Sequence, residues 1–159
     1  VEDGLRLVEV DVVTRVLEFV SIVLVALILI PSGAHFFELP NKIALVPENY
    51  FIVQNIYRGW AMFGIAIFAA LATVALLAWQ WRLDVLASRL ARIAFVCIAA
   101  ALAVFFIWVY PANVATANWT AIPENWMTLR RDWEFGHAVS ALLTFAAFCT
   151  LVLASVFRR

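Results

Sequence analysis

The amino-acid sequence predicts an all-α integral membrane protein whose single domain, residues 1–159, is a four-helix bundle. Of its 159 residues, 66% are hydrophobic and 14% are charged, whereas charged residues make up about 25% of typical soluble domains. Four apolar stretches, at about 16–38, 57–80, 91–113 and 135–157, reach the roughly 20 residues that a helix needs to cross a bilayer. We therefore expect most of the protein surface to contact lipid.

The first stretch is predicted to be a membrane span rather than a secretory signal, because the segment ahead of it is acidic. Four spans place both termini and the 81–90 loop on one side of the membrane. That side carries seven of the Lys and Arg residues, and the opposite side, which holds the 39–56 and 114–134 loops and Arg58, carries four. The positive-inside rule therefore predicts cytoplasmic termini, and we expect the inner membrane of a bacterium.

Charge and cysteine content exclude several classes of function. The formal net charge is zero and no basic stripe is present, which argues against a nucleic-acid partner. Cys97 and Cys149 are isolated within apolar runs, so neither thiol–disulfide chemistry nor a cysteine zinc site is predicted.

A Pro-Glu-Asn-aromatic motif occurs twice, as residues 47–50 and 123–126. Proline suits the first turn of a helix and the following glutamate suits its positive end. The motifs therefore predict helices from about Glu48 to Gln80 and from about Glu124 to Phe157. Tyr57 and Trp133 keep the same spacing of 76 residues as the motifs. We therefore consider two pseudo-repeated helical hairpins, with an extracytoplasmic polar and aromatic cap.

Polar residues are concentrated at the predicted outer ends of the spans. The only two histidines each have a glutamate three residues away, in His35–Glu38 and Glu134–His137, and residues at this spacing share a helix face. If the two pairs face each other, they predict the ligands of a single metal ion, iron, copper or zinc. Haem held by both histidines is a secondary alternative, and a polar network without any metal is another.

The same end of the bundle predicts a ligand pocket with aromatic walls. Trp126, Trp133, Asn113 and Gln54 are candidate cofactor-binding residues. His137 is the candidate general base or metal ligand, and Arg130 or Arg58 would stabilise an enolate or phenolate oxyanion. Gln54 and Arg58 are four residues apart, so they are expected on one face of the second long helix.

Two segments resemble the anthrone-oxygenase-like family of small four-span membrane proteins. They are NWMTLRRDWEFGHAVSALL at 125–143 and YPANVATANW at 110–119, and the matching residues are Trp126, Arg130, Trp133, His137, Pro111 and Asn113. The resemblance implies a four-span fold. It also implies oxidation of a polycyclic phenol by molecular oxygen, with no defined cofactor.

Two function classes remain open. One is a membrane oxidoreductase, or monooxygenase-like enzyme, that takes a small apolar aromatic, quinone-like or lipid molecule. The other is a non-catalytic accessory or scaffold subunit whose partners are other membrane subunits or further copies of the chain. Runs of small residues such as Ala99–Ala101 suit close helix packing in the second case.

Overall fold

A computed structural model describes the backbone of residues 2–158 and the side chains of residues 12–158. Within that part of the chain 86% of residues are helical and no strand occurs. Four helical segments are long and apolar enough to cross a membrane: Val12–Lys42, Trp60–Gln80, Val85–Ala115 and Trp126–Phe157. The predicted all-α fold with four helices that are able to span a membrane is therefore confirmed, and it supports a multi-pass integral membrane protein.

Helix α1 (Glu2–Lys42) is a single helix of 41 residues that continues through Pro31 and Pro40. A short loop leads to α2 (Pro47–Gln54), which has its proline in the first turn and Glu48 beside it. This is the helix start that the first Pro-Glu-Asn motif predicts, because proline lacks the N–H group that would be unpaired there.

The prediction of one helix from Glu48 to Gln80 is wrong. The chain leaves α2 through two 3₁₀ turns, Asn55–Tyr57 and Trp60–Met62, and only then begins α3 (Phe63–Gln80). Gly59 separates the turns with a φ of 89°, which lies in the left-handed region that glycine adopts without a steric penalty and that ends a right-handed helix. The break turns α2 out of line with α3.

Helix α4 (Val85–Val104) begins at Asp84, whose carboxylate accepts a 3.0 Å hydrogen bond from the Ala87 amide, a typical N-cap. It continues through a π-helical turn, Phe105–Val109, into α5 (Tyr110–Ala115). A loop with positive φ at residues 117–119 follows, and α6 (Trp126–Phe157) completes the chain.

The two Pro-Glu-Asn motifs have different structures. Pro47 lies inside the first turn of α2, whereas Pro123 lies before α6 and its carbonyl accepts a 3.1 Å hydrogen bond from the Trp126 amide. The helix predicted to begin at Glu124 therefore begins at Trp126, after a turn. The two hairpins thus differ where the motif predicted likeness, and the pseudo-repeat stays a prediction.

The helices close into a bundle in which α1 and α4 each pack against both α3 and α6. One end has a core of small residues, including Ala70, Ala94 and Ala147, which are fully buried and allow close helix approach. The other end has an aromatic core that includes Tyr50, Trp119 and Trp133. The second core lies where α2 covers the ends of α1 and α6, and the polar residues lie beside it.

Candidate functional site

The two histidines of the chain lie against each other between α1 and α6. The rings of His35 and His137 stack with centroids 4.0 Å apart and planes inclined by 29°. The indole of Trp133 presents its edge to both, at 4.9 Å from the His35 ring and 4.2 Å from the His137 ring. The structure therefore brings together the imidazoles that the sequence predicted to face each other.

Lys42 joins the two carboxylates of the site. Its ammonium Nζ lies 3.2 Å from Oε1 of Glu38 and 3.2 Å from Oε1 of Glu134. Lys42 is 3% exposed and Glu134 is fully buried. Because a buried carboxylate is stable only when it is paired and hydrogen-bonded, the lysine is the countercharge that lets both glutamates lie here.

Two tyrosine hydroxyls complete the hydrogen bonding of the carboxylates. Tyr57 donates to Oε2 of Glu38, and Tyr50 donates to Oε1 of Glu134 at 2.8 Å. Gln54 Nε2 in turn donates to the Tyr50 hydroxyl at 2.7 Å. Burial, together with the neighbouring carboxylate charge, raises the pKa of both tyrosines well above the ordinary value, so both hydroxyls act as donors at neutral pH.

The connected side chains form one unit, here called the polar cluster. His35 Nδ1 lies 2.7 Å from Oε1 of Glu38, and Lys42 Nζ donates to the Tyr57 hydroxyl at 3.1 Å. Hydrogen bonds and ion pairs therefore run without interruption from the histidine stack to Gln54. Its members are His35, Glu38, Lys42, Tyr50, Gln54, Tyr57, Glu134 and His137.

Helix periodicity explains how three helices supply seven of the eight members of the polar cluster, and the eighth, Tyr57, lies in the 3₁₀ turn Asn55–Tyr57. Helix α1 carries His35, Glu38 and Lys42 at positions i, i+3 and i+7, which share one face. The other two helices each supply a pair, Tyr50 and Gln54 from α2, and Glu134 and His137 from α6. The cluster thus depends on the packing of α1, α2 and α6 around a common axis.

Aromatic rings enclose the polar cluster. The Lys42 ammonium lies 4.2 Å from the Trp133 ring centroid and 4.3 Å from that of Tyr57, within the range of cation–π attraction. Trp60 lies 5.4 Å from His35 and 5.1 Å from Tyr57. These rings limit the access of water to Lys42, which is 3% exposed, and so strengthen its electrostatic interactions.

Asn113, a predicted cofactor-binding residue, holds the aromatic shell in place. Its Oδ1 accepts hydrogen bonds from the indole nitrogens of Trp119 and Trp133, each at 2.9 Å. The Trp119 amide also donates to Oγ1 of Thr116 at 3.0 Å, which fixes the loop of positive φ. Asn113 therefore positions Trp133 rather than facing the histidines itself.

The two predicted oxyanion arginines lie away from the histidine stack. Arg130 donates to the Leu45 carbonyl at 2.8 Å, and its guanidinium lies over the rings of Trp126 at 4.5 Å and Tyr50 at 5.5 Å. Arg58 is exposed, and its guanidinium contacts Asn55 at 3.5 Å. The expected shared face of Gln54 and Arg58 is lost because the helix ends between them.

The structure gives no support to the predicted metal site of His35, Glu38, Glu134 and His137, which stays a prediction. Within the part of the chain that the structure describes, no group of three or more His, Cys, Asp or Glu side chains could hold a metal ion. The Lys42 ammonium lies between the carboxylates of Glu38 and Glu134. Face-to-face stacking of the rings also does not direct two imidazole nitrogens at one haem iron from opposite sides.

Two buried oxygen atoms of the polar cluster lack a hydrogen-bond donor within the described part of the chain. They are Oε2 of Glu134, which is fully buried, and Oε1 of Gln54, which is 5% exposed. An unsatisfied buried acceptor costs about 1–3 kcal/mol. Both acceptors flank the Tyr50 hydroxyl, so this side of the cluster can accept hydrogen bonds from O–H or N–H groups.

Three central residues are not among the predicted site residues: Lys42, Tyr50 and Tyr57. The sequence does indicate Lys42 as a site residue, since it is the only lysine of the chain and follows Glu38 by four residues on the same helix face. The sequence does not indicate the roles of Tyr50 and Tyr57, because these roles depend on the break at Gly59 and on the packing of α2 against α6.

No protein-family model, curated protein or solved structure matches this chain. The resemblance of residues 110–119 and 125–143 to the anthrone-oxygenase-like family therefore stays a prediction. The function of the chain is therefore inferred from the geometry of the polar cluster.

Proposed function

We propose that this protein is a membrane oxidoreductase that takes a small apolar aromatic molecule of the phenol or hydroquinone type. One observation carries the proposal. The polar cluster is a largely buried, continuous hydrogen-bond network that begins at His35, whose ring stacks on His137, and ends at two buried acceptors without a donor in the described part of the chain. A network of this kind can move protons without access to bulk water.

Oxidation of a hydroquinone to a quinone releases two electrons and two protons. In the proposed reaction molecular oxygen takes the two electrons and becomes hydrogen peroxide, and the polar cluster accepts the two protons from the hydroquinone and passes them to the peroxide. His137 is the proposed general base, because a neutral imidazole nitrogen can accept the proton of a phenol. Glu38 binds Nδ1 of His35 and orients that ring against His137. Trp133 packs on both rings and holds them in register.

An apolar groove between α1 and α3 supports entry of the substrate from the membrane. It encloses about 540 Å³ and is lined by Leu24, Leu27, Gly59, Met62, Phe63, Ile65, Ala66 and Ala69. Trp60 lies between the groove and the cluster, at 5.9 Å from Phe63 and 5.4 Å from His35. A small movement of this indole would connect the groove with the histidine stack.

The charge distribution supports an outward-facing position for the polar cluster. The end of the bundle that carries both termini has seven Lys and Arg residues and the cluster end has four, so the positive-inside rule favours cytoplasmic termini. We infer that the cluster lies at the extracytoplasmic face, in the inner membrane of a bacterium. The reaction class agrees with the family that residues 125–143 resemble.

The proposal is tested with protein purified into lipid nanodiscs. Oxidation of a soluble anthrone and of a benzohydroquinone is followed by absorbance and oxygen consumption, for the wild type and His137→Ala. Removal of a general base is expected to lower the rate by about 10²- to 10⁴-fold. Arg58→Gln, which alters an exposed residue outside the cluster, is the matched control. Equal rates for the wild type and His137→Ala would refute the catalytic role.

A second candidate function, an accessory subunit stabilised by the polar cluster, has its own supporting observation. Lys42 pairs with carboxylates from both α1 and α6, so the cluster also ties these helices together. In that case the wild type would oxidise neither substrate and would co-purify with a membrane partner, or as a homo-oligomer, in mild detergent. A protein that migrates alone and oxidises either substrate would exclude it.

A further inference from the structure

A second groove lies on the outer face of α6, on the side that faces away from the polar cluster. It encloses about 370 Å³ and is lined by Trp108, Thr128, Arg131, Asp132, Phe135, Gly136 and Val139. Arg131 and Phe135 are exposed, whereas Glu134 between them is fully buried in the cluster. The groove is therefore a separate surface from the proposed reaction site.

Polarity changes along this groove in one direction. Thr128, Arg131 and Asp132 lie in the first two turns of α6, and Phe135 and Val139 lie in the next two. The distance along the axis from residue 128 to 139 is about 16 Å at 1.5 Å per residue. Polar groups at one end and apolar groups at the other match the sequence of headgroup and acyl chain in one phospholipid.

The length of α6 places the polar end of the groove at the membrane interface. The helix has 32 residues, which corresponds to about 48 Å, and the hydrocarbon core of a bilayer is about 30 Å thick. One or more turns of α6 therefore extend into the headgroup region. Trp108, which is 43% exposed beside the groove, is of the residue type enriched at that depth.

The floor of the groove is formed by the close approach of α6 to the π-helical turn. A Cβ atom at Gly136 would lie 2.9 Å from Cγ2 of Val109 and 3.3 Å from Cβ of Trp108. Glycine thus lets α6 and the π-helical turn pack directly against each other, and the exposed rings of Phe135 and Trp108 line the groove beside this closed floor.

The polar end carries one positive and one negative side chain. The side chains of Arg131 and Asp132 make no hydrogen bond or ion pair with any residue whose side chain the structure describes. A guanidinium binds phosphate with two parallel hydrogen bonds. A carboxylate accepts hydrogen bonds from a primary ammonium, whereas a quaternary ammonium has no N–H group to donate.

We propose that this groove binds one phospholipid of the phosphatidylethanolamine class, with its phosphate on Arg131, its ammonium on Asp132 and an acyl chain along Phe135 and Val139. A zwitterionic headgroup is chosen because the groove carries both a positive side chain, Arg131, and a negative one, Asp132. A purely anionic lipid would meet the Asp132 carboxylate, and a choline lipid would leave that carboxylate without a donor.

Native mass spectrometry of the purified protein, mixed with equal amounts of phosphatidylethanolamine, phosphatidylcholine and phosphatidylglycerol, tests the proposal. The wild type is expected to hold one phosphatidylethanolamine in preference to the other two. Arg131→Gln should weaken binding of all three about tenfold, since it removes a charge-assisted contact with the shared phosphate. Asp132→Asn should lower phosphatidylethanolamine to the level of phosphatidylcholine and leave phosphatidylcholine unchanged.

Arg58→Gln is the control, because it removes an exposed arginine outside this groove, and it should leave the lipid preference unchanged. Equal retention of the three lipids by the wild type would mean ordinary contact with bulk lipid and would overturn the proposal. A preference for phosphatidylethanolamine that survives Asp132→Asn would also overturn the proposal, because the ammonium would then be bound by another group.

Discussion

Lys42→Met removes the ammonium between Glu38 and Glu134 and keeps a side chain of similar length. Loss of one partner of a buried ion pair costs about 3–5 kcal/mol, because it leaves an uncompensated buried charge. Here Tyr50 still donates to one carboxylate and Tyr57 to the other. We therefore expect the lower end of that range, a loss of about 3 kcal/mol in the free energy of unfolding.

The companion variant is Glu134→Gln, which should cost about 1 kcal/mol. Lys42 keeps Glu38 at 3.2 Å, and the new amide oxygen still accepts from Tyr50. In the double variant Glu134, one of the two carboxylates that Lys42→Met leaves without the ammonium, is already replaced by a neutral amide. The combined loss should therefore fall short of the sum of the single losses by at least about 1 kcal/mol, as directly interacting residues show.

Reversible unfolding in detergent micelles, followed by tryptophan fluorescence and circular dichroism, measures these losses. Arg58→Met is the matched control, because Arg58 is exposed and should change the free energy of unfolding by no more than about 0.5 kcal/mol. Additive losses for the Lys42 and Glu134 substitutions, or a Lys42→Met protein as stable as the wild type, would refute the lysine-centred cluster.

Two further predictions concern pH and packing. Because burial raises the pKa of Tyr50 and Tyr57, the folded protein keeps protons that the unfolded chain releases near pH 10. The contribution of these two tyrosines to the free energy of unfolding should thus be constant up to about pH 10 and fall above it. Replacement of both tyrosines by Phe should remove the fall. A wild-type curve that is flat to pH 12 would contradict the raised pKa of the two tyrosines. Gly136→Ala forces a contact of 2.9 Å with buried Val109. It should therefore lower the free energy of unfolding by about 1–3 kcal/mol through overpacking, which the same unfolding assay measures. An unchanged stability would show that the π-helical turn moves to accommodate the methyl group without cost.

Parts of the candidate site could be predicted because helix spacing is a local property. The pairs His35–Glu38 and Glu134–His137 share helix faces whatever surrounds them, and their pairing between α1 and α6 follows from antiparallel spans that meet at the same end. The prediction that Arg58 shares a helix face with Gln54 was wrong because of a local feature. Gly59 adopts a positive φ that ends the helix, whereas a glycine within an apolar run does not by itself indicate a break.

Composition and the length of the apolar runs determined that this chain is helical and suited to a membrane, because backbone hydrogen bonds in lipid are satisfied only in helices and closed barrels, and runs of about 20 apolar residues match a helix. Only the tertiary structure decided which helix faces meet. Lipid and protein interior are equally apolar, so hydrophobic periodicity does not indicate the inward face. The position of the Lys42 ammonium between two carboxylates, and of Tyr50 against Glu134, therefore depended on contacts between segments distant in the sequence.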